Sequence, residues 1–228
     1  MYDVRTEEQN MWYGNIFDEL KSLQNPERAI PMAAYMRNQF PFLGIAAGPR
    51  KLIAKPYLKE ALKNRIIDFD FVEKCFEHDE REYHQLAVDY LLYIQELLMP
   101  KHLAMIKKYI LTKSWWDTVD GLDGVVGRMT LHFPEVKETM VEGSQADNFW
   151  LRRVAIDHQL LFKSKTDTAL LAEIITNNFG EKEFFINKAI GWALRDYSKT
   201  DPEWVREFIE THASQMSPLS IREGSKYI

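Results

Sequence analysis

Five bulky residues at nearly even spacing set the strongest limit on how this chain can fold. Tyr83, Trp116, Trp150, Phe185 and Leu219 lie 33, 34, 35 and 34 residues apart. Each opens a segment with helical spacing of apolar residues, and a pair of helices with its turns needs about 34 residues. Strand signals, meaning alternating β-branched runs between turn pairs, are scarce. Prolines such as Pro100, Pro134, Pro202 and Pro218 stand mostly between the periodic segments, where a missing N–H does least harm. The spacing therefore predicts an all-α protein of about ten to twelve helices, an α-solenoid in which each helix pair buries its apolar face on the next. A chance alignment of aromatics in a helical bundle is the rival reading. The whole chain, 1–228, reads as one repeat domain. Its N-terminal helices span about 1–70, and repeats follow at the five anchors.

Bulk properties narrow the setting. Hydrophobic residues make up 46% of the 228, enough for a compact core. No run of about 18 apolar residues occurs, so no membrane span is expected. Residues 1–10 lack a basic stretch followed by an apolar one, so no secretory signal is expected. Cys75 is the single cysteine, which suits a reducing, cytoplasmic compartment. The net charge of -5 argues against a chain coated in basic residues but leaves room for a local basic face.

Aligning the repeats makes their side chains comparable. Three residues after the anchors come Leu86, Val119, Arg153, Lys188 and Arg222. The last three form a candidate basic ladder, flanked by Arg152 and Arg195 and extended by Lys107, Lys108 and Lys113. Such a ladder could follow a phosphate backbone, or it could be a solvated, ion-paired helix face. Four residues after the anchors come Ala87, Asp120, Val154, Ala189 and Glu223. Asp120 is the charged residue in a middle repeat, at a position its neighbours fill with small apolar groups. Seven residues after the anchors come Tyr90, Asp123, Asp157, Trp192 and Lys226, which would put Trp192 on the side of Asp120.

Two readings of Asp120 stand side by side. Trp116 lies four residues before it, on the same helix face. With Trp192 this gives a carboxylate between two aromatic faces, a setting suited to a cationic ligand or a cationic transition state. Alternatively both tryptophans are core residues and Asp120 is a salt-bridged surface group. Asp117, Asp120 and Asp123 drift around the helix and do not converge well on a metal. Gly121, Gly124 and Gly127 among them suggest close helix packing. No HExxH or CxxC spacing and no Gly-rich phosphate loop is present, so neither metal nor cofactor is expected.

Four stretches carry a family resemblance: 31–45 (PMAAYMRNQFPFLGI), 112–120 (TKSWWDTVD), 147–153 (DNFWLRR) and 184–199 (FFINKAIGWALRDYSK). They are long, ordered alike, and resemble the bacterial DNA alkylation repair glycosylases of the AlkD type from about residue 25 to residue 227. The resemblance implies HEAT-like repeats with a concave basic face. It implies a monofunctional glycosylase that releases N3- and N7-alkylpurines from double-stranded DNA in base excision repair, acting as a monomer. Asp120 resembles the catalytic aspartate, and Trp116 and Trp192 the aromatic pair beside it. Arg153 and Arg195 resemble DNA-contacting arginines near the lesion, and Tyr35 belongs to an N-terminal helix that contacts the duplex. The pattern departs at 46–51, where a Thr-Pro-Glu-Arg-Arg-like turn is replaced by AAGPRK. That removes a hydroxyl at Ala47 but keeps charge at Arg50 and Lys51. The alternative is a non-catalytic HEAT-like module that binds DNA structures or a protein.

Overall fold

The computed structural model describes residues 11–228; the polar N-terminal stretch 1–10 lies outside them. The described residues form thirteen α-helices and no strand, an α-solenoid of helical repeats. No described helix is long and apolar enough to cross a membrane. The chain divides into two compact units, Met1–Leu98 and Met99–Ile228.

The first unit holds α1 (Ile16–Ser22), α2 (Pro26–Tyr35), α3 (Ala47–Lys63), α4 (Phe69–Glu77) and α5 (Arg81–Tyr93). Its core is aromatic. Phe71 sits among Trp12, Tyr13, Phe17 and Tyr90 at centroid distances of 4.7–5.8 Å. Glu82, fully buried, accepts hydrogen bonds from the backbone N–H groups of Leu43, Gly44 and Ile45 at 2.8–2.9 Å. A buried carboxylate is tolerated when its oxygens are satisfied in this way. Two prolines lie inside helices and not between them, Pro31 in α2 and Pro56 in α3. α2 buries none of its residues, so a locally weakened helix costs the core little there.

The second unit contains α6 (Leu103–Leu111), α7 (Trp116–His132), α8 (Val136–Gly143), α9 (Phe149–Asp157), α10 (Thr168–Thr176), α11 (Phe184–Tyr197), α12 (Pro202–His212) and α13 (Pro218–Gly224). Alternate helices form a row: α7 packs on α9, α9 on α11, and α11 on α13. All five anchors fall within the first three residues of α5, α7, α9, α11 or α13. The period thus marks one helix per repeat.

One anchor is displaced by a residue. Trp115, not Trp116, packs against Trp150 and Phe185, with ring centroids 6.0 and 5.4 Å away. Counted from Trp115, the fourth-residue column becomes Ala87, Val119, Val154 and Ala189, all at most 2% exposed. Asp120 therefore does not interrupt a packing column. It lies one residue, or about 100° of helix, around from it.

Two glycines set how closely the row stacks. A Cβ on Gly127 of α7 would sit 2.0 Å from the backbone oxygen of His158, which follows α9. A Cβ on Gly191 of α11 would sit 2.5 Å from the Glu223 Cβ on α13. Gly127 thus does what the glycine run suggested, whereas Gly124 is exposed.

Candidate active site

The close approach of α7 and α9 brings four charged groups together. Arg153 of α9 is 1% exposed. Its Nε and Nη2 donate to the two carboxylate oxygens of Asp120 at 2.8 and 2.9 Å. Its Nη1 donates to the Phe185 carbonyl of α11 at 2.7 Å. Its Nη2 also lies 3.6 Å from an Asp157 oxygen, an ion-pair distance without a hydrogen bond. Asp120, Asp123 and Asp157 each present an oxygen within 4.8 Å of the others.

The carboxylates that converge are thus not the sequence-adjacent Asp117, Asp120 and Asp123. Asp157, one repeat on, takes the third place. Three carboxylates in number would suit a hard cation, but the Arg153 guanidinium already lies against two of them and supplies positive charge to the cluster.

Burial dominates the electrostatics. It raises the Asp120 carboxyl above its ordinary range, while the hydrogen bonds and charge of Arg153 pull it back down. With both oxygens in a bidentate pair with a permanent cation, Asp120 is the ionised member. Burial pushes Asp123 well above the carboxylate range, and Asp157 and Asp120 add to the push. Asp157, without solvent contact, is pushed up to about 7, with Arg153 opposing. One guanidinium cannot neutralise three clustered carboxylates, so the inner pair keeps its protons to well above the ordinary carboxylate range.

Trp192 lies against the same guanidinium. The Arg153 Cζ is 5.2 Å from its ring centroid, and Lys188 and Arg195 approach the same ring at 5.7 and 5.9 Å. Asp120 and Trp192 thus touch one shared group. Trp116 is half-buried at the first position of α7, on the face of Asp120 by its four-residue spacing. The Asp120 side chain keeps 23% of its surface exposed, so the carboxylate is reachable.

The basic ladder is not an open stripe. Arg153 is buried for the reason just given. Lys188 and Arg195 both donate to Glu223, at 2.8 and 3.0 Å, and these two cations hold its carboxyl below the usual range. Arg222 is exposed. Lys113 precedes α7 in a left-handed backbone conformation, φ +46°. In the first unit, Arg50 is 6% exposed and bound to Asp89 and Gln85, so it holds α3 to α5. Lys51 next to it is exposed, and Tyr35 at the end of α2 is 73% exposed.

Comparisons with known proteins agree with this architecture. The model of a family described as DNA alkylation repair enzyme matches residues 16–228. A solved protein described as a predicted DNA alkylation repair enzyme from Enterococcus faecalis is 39% identical. That likeness covers 90% of this chain and 96% of the other, with a TM-score of 0.82. No curated protein matches the chain.

Proposed function

This chain belongs to the DNA alkylation repair enzyme family, and we propose that within it the chain is a monofunctional DNA glycosylase. Its substrates are cationic N3- and N7-alkylpurines in duplex DNA, and it works alone in the cytoplasm without metal or cofactor. The observation that carries the reading is a reachable carboxylate, Asp120, bound by a buried arginine that also lies against the Trp192 ring.

An alkylpurine that already bears a positive charge leaves readily, so little general-acid help is required. As the glycosidic bond lengthens, its electrons go to the departing base and positive charge builds on the deoxyribose. Asp120 faces that charge and steadies it. Arg153 occupies one lone pair on each Asp120 oxygen, and a carboxylate has about four such sites. The remaining lone pairs accept from a water directed at the sugar carbon. That water forms the new C–O bond and passes its proton through Asp120 to solvent, while the base leaves neutral. Trp192 and Trp116 bound the sugar with aromatic faces, which favour its electron-poor C–H groups. Lys51, Lys113, Lys188, Arg195 and Arg222 contact the phosphate backbone, and Tyr35 packs on the duplex.

The test is single-turnover incubation with methylated duplex, followed by alkaline cleavage at abasic sites. Asp120→Asn is expected to fold, bind DNA and lose about 100-fold or more of its 7-methylguanine release. Full activity in that variant would sink the assignment. One feature favours the second reading, a non-catalytic module that binds DNA structures or a protein. Arg153 closes on Asp120 as a purely structural ion pair between repeats would. That reading predicts no base release by the unmodified chain.

A further inference from the structure

Two groups of the carboxylate cluster have no part in the mechanism above. Asp123 is 5% exposed and Asp157 1%. Both Asp157 oxygens and the Asp123 Oδ2 lack a hydrogen-bond partner. An unsatisfied, solvent-excluded carboxylate is costly, and a fold needing only packing there would be better served by an apolar side chain. The charged groups that act on Asp157 are Arg153, one turn back on α9, and Asp120 and Asp123 from α7. Of the other helices packed on α9, α11 turns Lys188 and Arg195 onto Glu223. Among the described residues, α6, α8 and α10 add no charge that acts on it.

We propose that Asp157 is a positioning residue for Asp120, acting through Arg153. The guanidinium stands between the two carboxylates, bonded to Asp120 at 2.8 and 2.9 Å and 3.6 Å from Asp157. When Asp157 carries a proton, the guanidinium rests on Asp120 and offsets its charge. When that proton leaves for solvent, Nη2 is drawn toward Asp157, and Asp120 presents more of its own negative charge to the reacting sugar. Asp123, against Asp157, keeps its own proton when Asp157 loses one, because two adjacent carboxylates resist double ionisation. The inference rests on the glycosylase reading, since only there does the uncompensated charge of Asp120 matter for rate.

Two measurements on the full chain test it. One follows the Arg153 Nε–Hε signal by NMR, and the other follows single-turnover release of 7-methylguanine, both from about pH 5.5 to about pH 8.5. In the unmodified protein the signal is expected to titrate, and release to rise about three- to ten-fold over the same interval. In Asp157→Asn the signal stays fixed and the rate keeps its acid-limb value. Comparing both proteins on one duplex cancels ionisation of the methylated base. Asp157→Ser likewise fixes the signal and the rate, which keeps the idea testable if Asp157→Asn fails to fold. A merely structural Asp157 would alter melting but leave these midpoints in place. An Arg153 signal that titrates alike in the unmodified protein and in Asp157→Asn overturns the proposal, whether or not base is released. A signal that depends on Asp157 in a chain releasing no base supports the coupling and sinks the glycosylase reading.

Discussion

The second unit builds the same device twice, with opposite balance. At α7 and α9, Gly127 permits close approach and Arg153 crosses to Asp120. At α11 and α13, Gly191 permits close approach and Lys188 and Arg195 cross to Glu223. Around Asp120, one cation serves three carboxylates, two of them buried, and burial raises the carboxyl. Around Glu223, two cations serve one carboxylate with 18% of its side chain exposed, and they lower it. A surplus of cations near water makes a clamp. A surplus of carboxylates away from water takes up protons, and leaves Asp120 as the ionised group that a cationic substrate can face.

The largest expected contrast is catalytic. Asp120→Asn should remove nearly all base release, as above, whereas Glu223→Gln should change it by less than about three-fold. Comparable losses from both would erase the distinction. Stability comes next. Gly127→Ala drives a Cβ against backbone, which cannot swing aside, and is expected to cost about 3 kcal/mol in urea unfolding. Gly191→Ala meets the Glu223 Cβ at 2.5 Å, an atom fixed to the α13 backbone, and should cost about 2 kcal/mol.

The pH dependence sharpens the comparison further. Asp157 binds its proton more tightly folded, up to about 7, than unfolded, about 3.9. Between those values the folded state holds more protons, so stability falls as pH rises through the window. Glu223 is depressed, so its contribution is present above its unfolded value and is lost as pH falls through the folded one. Melting temperatures of Asp157→Asn should decline less steeply toward neutrality, with Asp123 still raised, and those of Glu223→Gln should keep the full decline. The smallest effect is the stability cost of Glu223→Gln at neutral pH, at most about 1 kcal/mol for a solvent-screened pair.

Much of this was legible before any coordinates. The period located the first turns of α5, α7, α9, α11 and α13, because each repeat packs a bulky apolar residue at its helix start, buried at Tyr83 and Trp150 and half-buried at the others. It slipped by one at Trp115 and Trp116, where two adjacent indoles offer the same chemistry and only packing selects between them. The buried acid pair was visible as Asp123 and Asp157 in one column of consecutive repeats. A column shows that residues are neighbours, not which way they face, so the pair went unread. Arg153 and Arg50 looked like surface charge because an arginine is normally exposed. Their burial depends on partners, Asp120 and Asp89, that lie 33 and 39 residues away.

Arg153 also bears on how the second unit comes apart. In a repeat array, stability is approximately a sum of terms for each repeat and for each interface between neighbours. Arg153 starts on α9, bonds Asp120 on α7, and bonds the Phe185 carbonyl on α11. One side chain therefore enters two interfaces at once, so the helices from α7 to α11 lose or keep their order together. α12 and α13 are outside its reach, and α13 is held to α11 by packing, by the Ser220 hydroxyl on the Asn187 carbonyl and by the Glu223 pairs. Unfolding of this unit should begin as fraying from the C-terminal repeat and then proceed in a single cooperative step through the repeats that Arg153 ties together.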